Sequence, residues 1–311
     1  MANNIRLEHL SLSGEIDYDV VVATLGYERR ARAVSERFPS GAAFRKYACG
    51  FPGDHVLNYA ANKDWFFGQE YVIAEPSDAD YGQWFQNLVK DSLEGQDDLV
   101  KIRVDISSMT RTRLAHTIEV LNSATLKKPV LVDFAYSLAQ YSAPPQFKAK
   151  NTHVGPVTPA YSGWWTEPDK PLTAIIGLGY EENKALGALE HIQAADAWIF
   201  VPQSSIAAYS QTLQRANKDL LEMVNGAQVL NYPVEDPFLT LSRMESLCAA
   251  LLSQKNIAIL PFGPKIFALV ALLIARLHFP QIAVWRVSGS EEIVDRLPSE
   301  EFIGLRAIFQ P

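Results

Sequence analysis

The sequence predicts an α/β protein made of two tandem Rossmann-like units, each a doubly wound parallel sheet. Short β-branched runs alternate with helical stretches along the chain, which is typical of βαβ units. The turn Leu-Gly-Tyr-Glu occurs twice, at 25–28 and at 178–181, an offset of 153 residues. A cation also follows the predicted fourth strand of each half, at Arg111 and at Lys265, an offset of 154. Two landmarks at nearly equal offsets indicate a pseudo-two-fold internal duplication.

Five strands and four helices are predicted in the first half. The strand segments are 19–25, 42–48, 70–75, 99–106 and 129–136. The helices between them are predicted to begin near Glu28, His55, Tyr81 and Arg111.

The second half repeats this alternation after a predicted linker. Its strand segments are 172–178, 196–202, 227–233, 256–262 and 282–288, and its helices are predicted to begin near Glu182, Ala207, Pro237 and Pro264. Residues 148–171 are rich in Pro, Gly and Thr, a composition typical of connecting segments. The predicted organisation is therefore a first unit over 1–147, a linker over 148–171 and a second unit over 172–311.

Two loops in each half are predicted to lie at the ligand-binding position of the fold. A five-strand doubly wound sheet has the spatial order 3-2-1-4-5, so strands one and four are neighbours. Ligands bind outside the carboxyl ends of the strands at this switch point. In the first half the loops there are 26–30 and 105–111, and in the second half they are 179–181 and 260–265.

The fourth-strand loop of the first half, "DISSMTR", has the composition of an anion site. Ser107, Ser108 and Thr110 are small hydroxyl donors at a strand-to-helix junction, where unpaired N–H groups and the helix dipole favour an anion. Arg111 and Arg113 are expected to add mobile positive charge. Phosphate is the expected guest, and the structural alternative is an ordinary helix N-cap, above all at Thr110.

Each residue of the repeated turn has a functional and a structural interpretation. The glycines allow either a close backbone approach or a positive φ. The tyrosines stack on a base or close the end of the strand. The glutamates accept hydrogen bonds from a ribose hydroxyl or a base edge, or they stabilise a helix N-terminus. The predicted ligand-contacting residues of the turns are Gly26, Tyr27, Glu28, Arg29, Gly179, Tyr180 and Glu181.

The fourth-strand loop of the second half, "PFGPK", differs from its counterpart. It has a glycine and a cation but lacks the hydroxyls and the acidic residue of the first loop, and a prolyl turn offers fewer N–H groups to an anion. Phe262, Gly263 and Lys265 are the predicted ligand contacts. The second site is either degenerate or holds a different part of one ligand, and we expect the two copies of the turn to be two walls of one asymmetric pocket.

The segment "VDISSMTR" resembles the strand-four signature of CARF domains, the Rossmann-like sensors of cyclic oligoadenylates in prokaryotic antiviral systems. Asp105, Ser107, Thr110 and Arg111 match that signature, and Met109 stands where these domains often have glycine. The layout is also similar to that of the SAVED family, which fuses two such units in one chain. The similarity in architecture covers most of the chain, whereas the similarity in motif covers only a handful of residues. It implies a nucleotide- or cyclic-oligonucleotide-binding sensor of an anti-phage system, acting with a separate effector protein.

Two other functions stay open from the residues. One is a metal-independent phosphodiesterase of ring-nuclease type or a nucleoside-processing enzyme. In it, Arg111 and Lys265 would stabilise charge and Tyr27 or Glu28 would act as the base. The other is an interaction subunit with a degenerate binding site. No catalytic residue is assigned.

Composition disfavours several kinds of partner and leaves a small anionic ligand held by a few local cations possible. The net charge of −7 disfavours a coat on duplex nucleic acid. The most apolar segment, 266–279, is interrupted by Arg276 and too short for a bilayer, so it predicts a helix buried on nearly every side. Two cysteines without ligand-like neighbours predict a reducing cytoplasm and no metal. No dinucleotide fingerprint follows either first strand, so no nicotinamide cofactor is expected.

Overall fold

The computed structural model describes residues 5–13, 16–39, 45–53, 55–94, 98–123, 126–142, 151–163, 167, 169–204, 207–289 and 293–311. The chain divides into two compact units. The first comprises Met1–Gln140 and Val294–Pro311, and the second comprises Tyr141–Ile293.

In its described residues, the first unit contains six strands and four α-helices before the chain leaves it. The strands are β1 (Ile5–His9), β2 (Val20–Thr24), β3 (Arg45–Cys49), β4 (Val72–Ala74), β5 (Val100–Asp105) and β6 (Val130–Ala139). The helices are α1 (Ala33–Arg37), α2 (Tyr59–Gly68), α3 (Tyr81–Leu93) and α4 (Arg111–Leu121). A short 3-10 helix, Arg29–Arg32, precedes α1.

The part of the second unit that the structure describes contains six strands and five α-helices. The strands are β7 (Asn151–Pro156), β8 (Leu172–Gly177), β9 (Asp196–Gln203), β10 (Val229–Pro233), β11 (Asn256–Pro261) and β12 (Ile282–Gly289). The helices are α5 (Lys184–Ile192), α6 (Ala207–Ala216), α7 (Lys218–Met223), α8 (Pro237–Leu251) and α9 (Lys265–Leu277). The chain then returns to the first unit with β13 (Pro298–Phe309).

Both units are doubly wound parallel sheets, as predicted. The first sheet has the order β1-β13-β6-β5-β2-β3-β4, and the second has the order β10-β9-β8-β11-β12-β7. In each sheet the five parallel strands lie in the spatial order 3-2-1-4-5. The predicted fold class, two tandem Rossmann-like units, is therefore confirmed.

Three antiparallel strands extend these sheets and were absent from the prediction. β7 pairs with β12, while β13 inserts between β6 and β1. The predicted linker therefore contains β7, and the end of the predicted second unit belongs to the first. The partners of these strands lie more than 120 residues away along the chain, and the local hydrophobic pattern of a strand gives no information about so distant a partner. The predicted strand at 42–48 is described from Arg45 onward, and its first three residues lie outside the described part.

The most apolar helix, α9, is buried as predicted. Ten consecutive residues, from Ile266 to Ala275, are buried in the second unit. Among the helices of the described residues, none combines the length and apolar character needed to cross a bilayer.

A buried ion pair joins β13 to β6. Asp133 is fully buried and accepts hydrogen bonds from Arg306 Nε and Nη2, at 2.7 and 2.8 Å. The Tyr18 hydroxyl donates to the same carboxylate at 2.7 Å. The bond to Asp133 raises the pKa of Arg306, and burial together with Asp133 raises that of Tyr18. The pair therefore anchors the returning strand in the first unit.

The first prediction concerns this anchor. Arg306→Met is expected to lower the free energy of unfolding by about 3–5 kcal/mol, because it leaves the buried Asp133 carboxylate without its cation. Urea unfolding measures the change. Arg6→Met serves as the control, since the Arg6 side chain is 71% exposed and pairs only with Glu8 among the ion pairs of the described residues. An Arg306 variant as stable as the control would contradict the anchoring role.

Candidate functional site

The two predicted loops of the first unit lie against each other. β2 and β5 are hydrogen-bonded neighbours, and Thr24 Oγ1 donates to the backbone oxygen of Asp105 at 3.0 Å. A Cβ atom placed on Gly26 would lie 2.6 Å from Cβ of Ser108. The glycine is outside the positive-φ region, so close approach, and not backbone conformation, requires it.

Two of the three loop hydroxyls have structural partners. Ser107 is fully buried, and its Oγ accepts a hydrogen bond from the backbone N–H of Ser137 on β6 at 2.9 Å. Thr110 is the N-cap of α4, and its Oγ1 accepts from the backbone N–H of Arg113 at 3.2 Å. Thr110 is therefore an ordinary helix N-cap, the structural alternative considered from the sequence. Ser107 fixes the loop to the neighbouring strand.

Asp105 and Ser108 are different, because each has a polar atom without a partner. Asp105 is 2% exposed, and its Oδ1 accepts from the backbone N–H of Ser107 at 2.8 Å. Asp105 Oδ2 and Ser108 Oγ are buried atoms that form no hydrogen bond within the described part of the chain. Buried polar atoms without partners are uncommon and call for an explanation. The strand-four loop thus offers an acceptor and a hydroxyl at the switch point.

Burial has the largest effect on the pKa of Asp105. It raises the pKa of the carboxyl to about 6, against the opposing effects of the hydrogen bonds from Ser107 and the charges of Arg103 and Arg30. Both arginines are themselves buried, each 2% exposed. The carboxyl therefore changes its charge close to neutral pH.

The second prediction is the pH dependence that follows. A carboxyl whose pKa is higher in the folded state than in the unfolded state contributes stability below its unfolded value, and this is lost as the pH rises through about 6. Relative to Asp105→Asn, the native protein should lose about 2 kcal/mol of unfolding free energy between pH 4 and pH 7. Urea unfolding of both proteins across that range measures the difference.

Asp295→Asn provides a control of opposite sign. Against the effect of burial, hydrogen bonds from Arg29 and Asn58 hold the pKa of Asp295 below its ordinary value. The native protein should therefore gain stability over this variant as the pH rises. A stability difference between native protein and Asp105→Asn that does not change with pH would contradict the environment described for Asp105.

Arg111 and Arg113 have separate roles although only one residue lies between them. Arg111 is the first residue of α4 and is partly exposed. Arg113 is fully buried and donates from Nη1 to the backbone oxygen of Gly50 and from Nη2 to that of Pro76, both at 2.7 Å. Its Nε donates to Asp78 at 2.7 Å. The expectation of a mobile charge at Arg113 is therefore wrong, since the side chain ties α4 to the loops after β3 and β4.

The third prediction compares these two arginines. Arg113→Met is expected to lower the unfolding free energy by about 3 kcal/mol, because three backbone or carboxylate acceptors lose their donor. Arg111→Met is expected to cost less than about 1 kcal/mol. Urea unfolding of both variants measures these changes. An equal loss of unfolding free energy in the two variants would contradict the separate roles of the two arginines.

The Glu28 carboxylate is engaged inside the first unit. Glu28 is buried and forms an ion pair with Arg30 Nε, while Arg296 Nε lies 3.7 Å from its other oxygen. Arg30 also donates to the backbone oxygen of Ser137 at 3.2 Å. Glu28 precedes the 3-10 helix but makes no side-chain capping bond. Its partners are thus arginines, which neither of the two interpretations from the sequence included.

Arg29 and Tyr27 lie nearer the surface. The Arg29 side chain is 58% exposed, and its Nε donates to Asp295 at 2.6 Å. Tyr27 is partly buried and packs against the cluster that contains Tyr18 and Leu25. Arg29 therefore has a carboxylate neighbour already, and Tyr27 contributes to closing the end of the strand.

A buried asparagine holds the repeated turn in each unit. Asn62 Nδ2 donates to the backbone oxygen of Gly26 at 2.8 Å and to that of Glu28 at 2.9 Å. Asn217 Nδ2 donates to the backbone oxygen of Gly179 at 2.9 Å. Both lie between the second and third parallel strands of their sheets, at an offset of 155 residues. Sequence reasoning missed them, although a search for further matches near offsets 153 and 154 could have found the pair.

The loops of the second unit also lie against each other, in this case through backbone atoms. A Cβ on Gly179 would lie 2.9 Å from the backbone oxygen of Phe262, and one on Gly263 would lie 2.7 Å from that of Leu178. The N–H groups of Phe262 and Gly263 donate to the oxygen of Gly177 at 2.9 and 3.1 Å. These N–H groups are used within the sheet edge, so this loop has less to offer an anion.

The side chains around the second turn also contact each other. Tyr180 stacks on Tyr209 with ring centroids 5.5 Å apart. Glu181 Oε1 lies 3.7 Å from Nζ of Lys184, three residues further along the chain. Lys265 is the first residue of α9 and is partly exposed. The assignment of these residues as ligand contacts remains a prediction.

The chain is thus a tandem pair of Rossmann-like units with a polar switch-point loop in the first. No protein-family model and no curated protein matches it. Among solved structures, it is similar to the Thermus thermophilus 16S rRNA N2 G1207 methyltransferase (RsmC) in complex with AdoMet and guanosine. The identity is 7%, the alignment covers 96% of this chain and 89% of that one, and the TM-score is 0.21. A similarity this low supports no statement about function.

Within the described ranges, no group of three or more His, Cys, Asp or Glu side chains is arranged to hold a metal ion. Cys49 is buried, and burial raises the pKa of its thiol to about 12. Cys248 is buried as well, with its pKa raised for the same reason. Both thiols are therefore structural residues of their cores.

Proposed function

We propose that this protein binds a small anionic ligand of the nucleotide class at the carboxyl edge of β2 and β5. The observation that carries the proposal is the strand-four loop. There, the buried and unpartnered atoms of Asp105 and Ser108 lie next to the first turn of α4, where Arg111 stands.

The first turn of α4 supplies the positive character. The helix has eleven residues, so its dipole favours an anion at this end. Arg111 adds a charge that is partly exposed. A phosphate group fits this chemistry, and the switch point of a doubly wound sheet is the position where such folds bind ligands.

Binding accounts for the contacts better than cleavage does. A phosphodiesterase of the kind considered from the sequence needs Glu28 or Tyr27 as a base. The Glu28 carboxylate is paired with Arg30, and Tyr27 packs against the core. These contacts favour a role in shaping the turn. Binding is therefore the primary proposal.

The finer form of the proposal is a sensor. It rests on the resemblance of "VDISSMTR" to the strand-four signature described above. In that form the ligand is a cyclic oligonucleotide, the setting is an anti-phage system, and a separate effector protein carries out the response.

The fourth prediction tests the binding site. Isothermal titration of the native protein against 5′-nucleotides and linear and cyclic oligonucleotides should detect binding by at least one class. Arg111→Ala should weaken that binding about tenfold or more, because it removes a charge-assisted contact. Higher salt should weaken it too.

Arg6→Ala is the matched control and should bind like the native protein, since Arg6 lies on the edge strand β1. Absence of binding by folded protein to every member of the panel would refute the proposal. Equal affinity in native protein and Arg111→Ala would place any binding elsewhere in the chain.

A further inference from the structure

We infer that the ligand donates a hydrogen bond to Asp105 Oδ2, so that the first unit selects anionic compounds with a hydroxyl or amino donor close to the anionic group. This inference rests on the proposed function and names the chemistry of the same site.

The carboxyl of Asp105 is half satisfied. Its Oδ1 accepts the backbone N–H of Ser107, which orients the group at the end of β5 toward the loop. Its Oδ2 has less than 1 Å² of exposed surface and no hydrogen-bond partner in the described chain. A buried carboxylate oxygen with no donor costs free energy that a ligand donor would recover.

Ser108 provides the second part of the argument. A serine hydroxyl can donate to a carboxylate, yet Ser108 Oγ and Asp105 Oδ2 both remain without a partner. Each of these two complementary groups therefore keeps a hydrogen-bonding capacity that a third molecule can satisfy. A ligand can donate to the carboxylate while one of its own oxygens accepts from the serine.

The repeated turn restricts what can reach these atoms. Gly26 packs on Ser108 so closely that an added Cβ would lie 2.9 Å from Ser108 Oγ. Because the turn and the strand-four loop are in contact at this point, we expect a small donor, such as a single hydroxyl or amino group, rather than a bulky substituent. Arg111 and the first turn of α4 then receive the anionic group.

Nucleotides carry both features. A ribose hydroxyl and the exocyclic amine of adenine are donors within a few bonds of the phosphate or the sugar. Inorganic phosphate has no donor apart from the hydroxyl of its own phosphate group. The class of ligand that satisfies both parts of the loop is a nucleotide with a free donor, in linear or cyclic form.

The fifth prediction tests this contact with matched ligands. The probes are adenosine 5′-monophosphate and cyclic diadenosine monophosphate, each compared with its deoxyribose and inosine analogues. One of these replacements should weaken binding to the native protein about tenfold, the size expected for a hydrogen bond to a charged acceptor. Asp105→Asn should weaken binding of the parent ligand, and in that variant the same replacement should no longer weaken binding.

Asp19→Asn is the control, because Asp19 accepts the backbone N–H of Lys101 at the opposite end of the same strands. Urea unfolding verifies that both variants fold. If a parent ligand binds, Arg111→Ala weakens it and none of the replacements has an effect, the inference is overturned while the proposed function stands. If neither adenine probe nor its analogues bind, the inference falls. Failure of the wider panel as well refutes the proposed function.

Discussion

The contact between the loops after strands one and four constrains everything else at the carboxyl edge of each sheet. Because the chain reverses after the third strand, these two strands are neighbours and their loops meet. Gly26 lies on Ser108, and Gly179 lies on the backbone of Phe262. A side chain at either glycine would separate the loops. The asparagine amides of Asn62 and Asn217 then fix the turn from the side.

The same contact leads to different chemistry in the two units. In the first unit, the loop after strand four carries Asp105 and three hydroxyl side chains. Two of its buried polar atoms, Asp105 Oδ2 and Ser108 Oγ, have no hydrogen-bond partner among the described residues. In the second unit, the N–H groups of Phe262 and Gly263 donate hydrogen bonds to the backbone oxygen of Gly177. A loop whose hydrogen-bonding groups are already paired within the protein gains little free energy from binding a ligand. This is why we place the proposed site in the first unit and regard the second as its structural counterpart.

The sequence predicted what depends on local pattern. All ten parallel strands and their order followed from β-branched runs and the rules of right-handed crossover, and Gly26 followed from the repeat. The return of β13 to β6 was missed because pairing over such a distance has no local pattern. The asparagines were missed because their acceptors are backbone oxygens of remote loops. Arg111 and Arg113, two residues apart on a helix, face different directions, which could have separated their roles.

The charges beneath the first site complete the argument. Asp105 lies under the influence of Arg103 and Arg30, all three nearly fully buried, and Arg30 is paired with Glu28. Buried ionic groups are weak contributors to stability, because desolvation offsets their attraction, and apolar replacements often do as well. The cluster also leaves one carboxylate oxygen unpaired, the arrangement least favourable for stability alone. A ligand donor at that oxygen would complete the hydrogen bonds of the Asp105 carboxyl, so the proposed binding gives a physical reason for the unpaired oxygen.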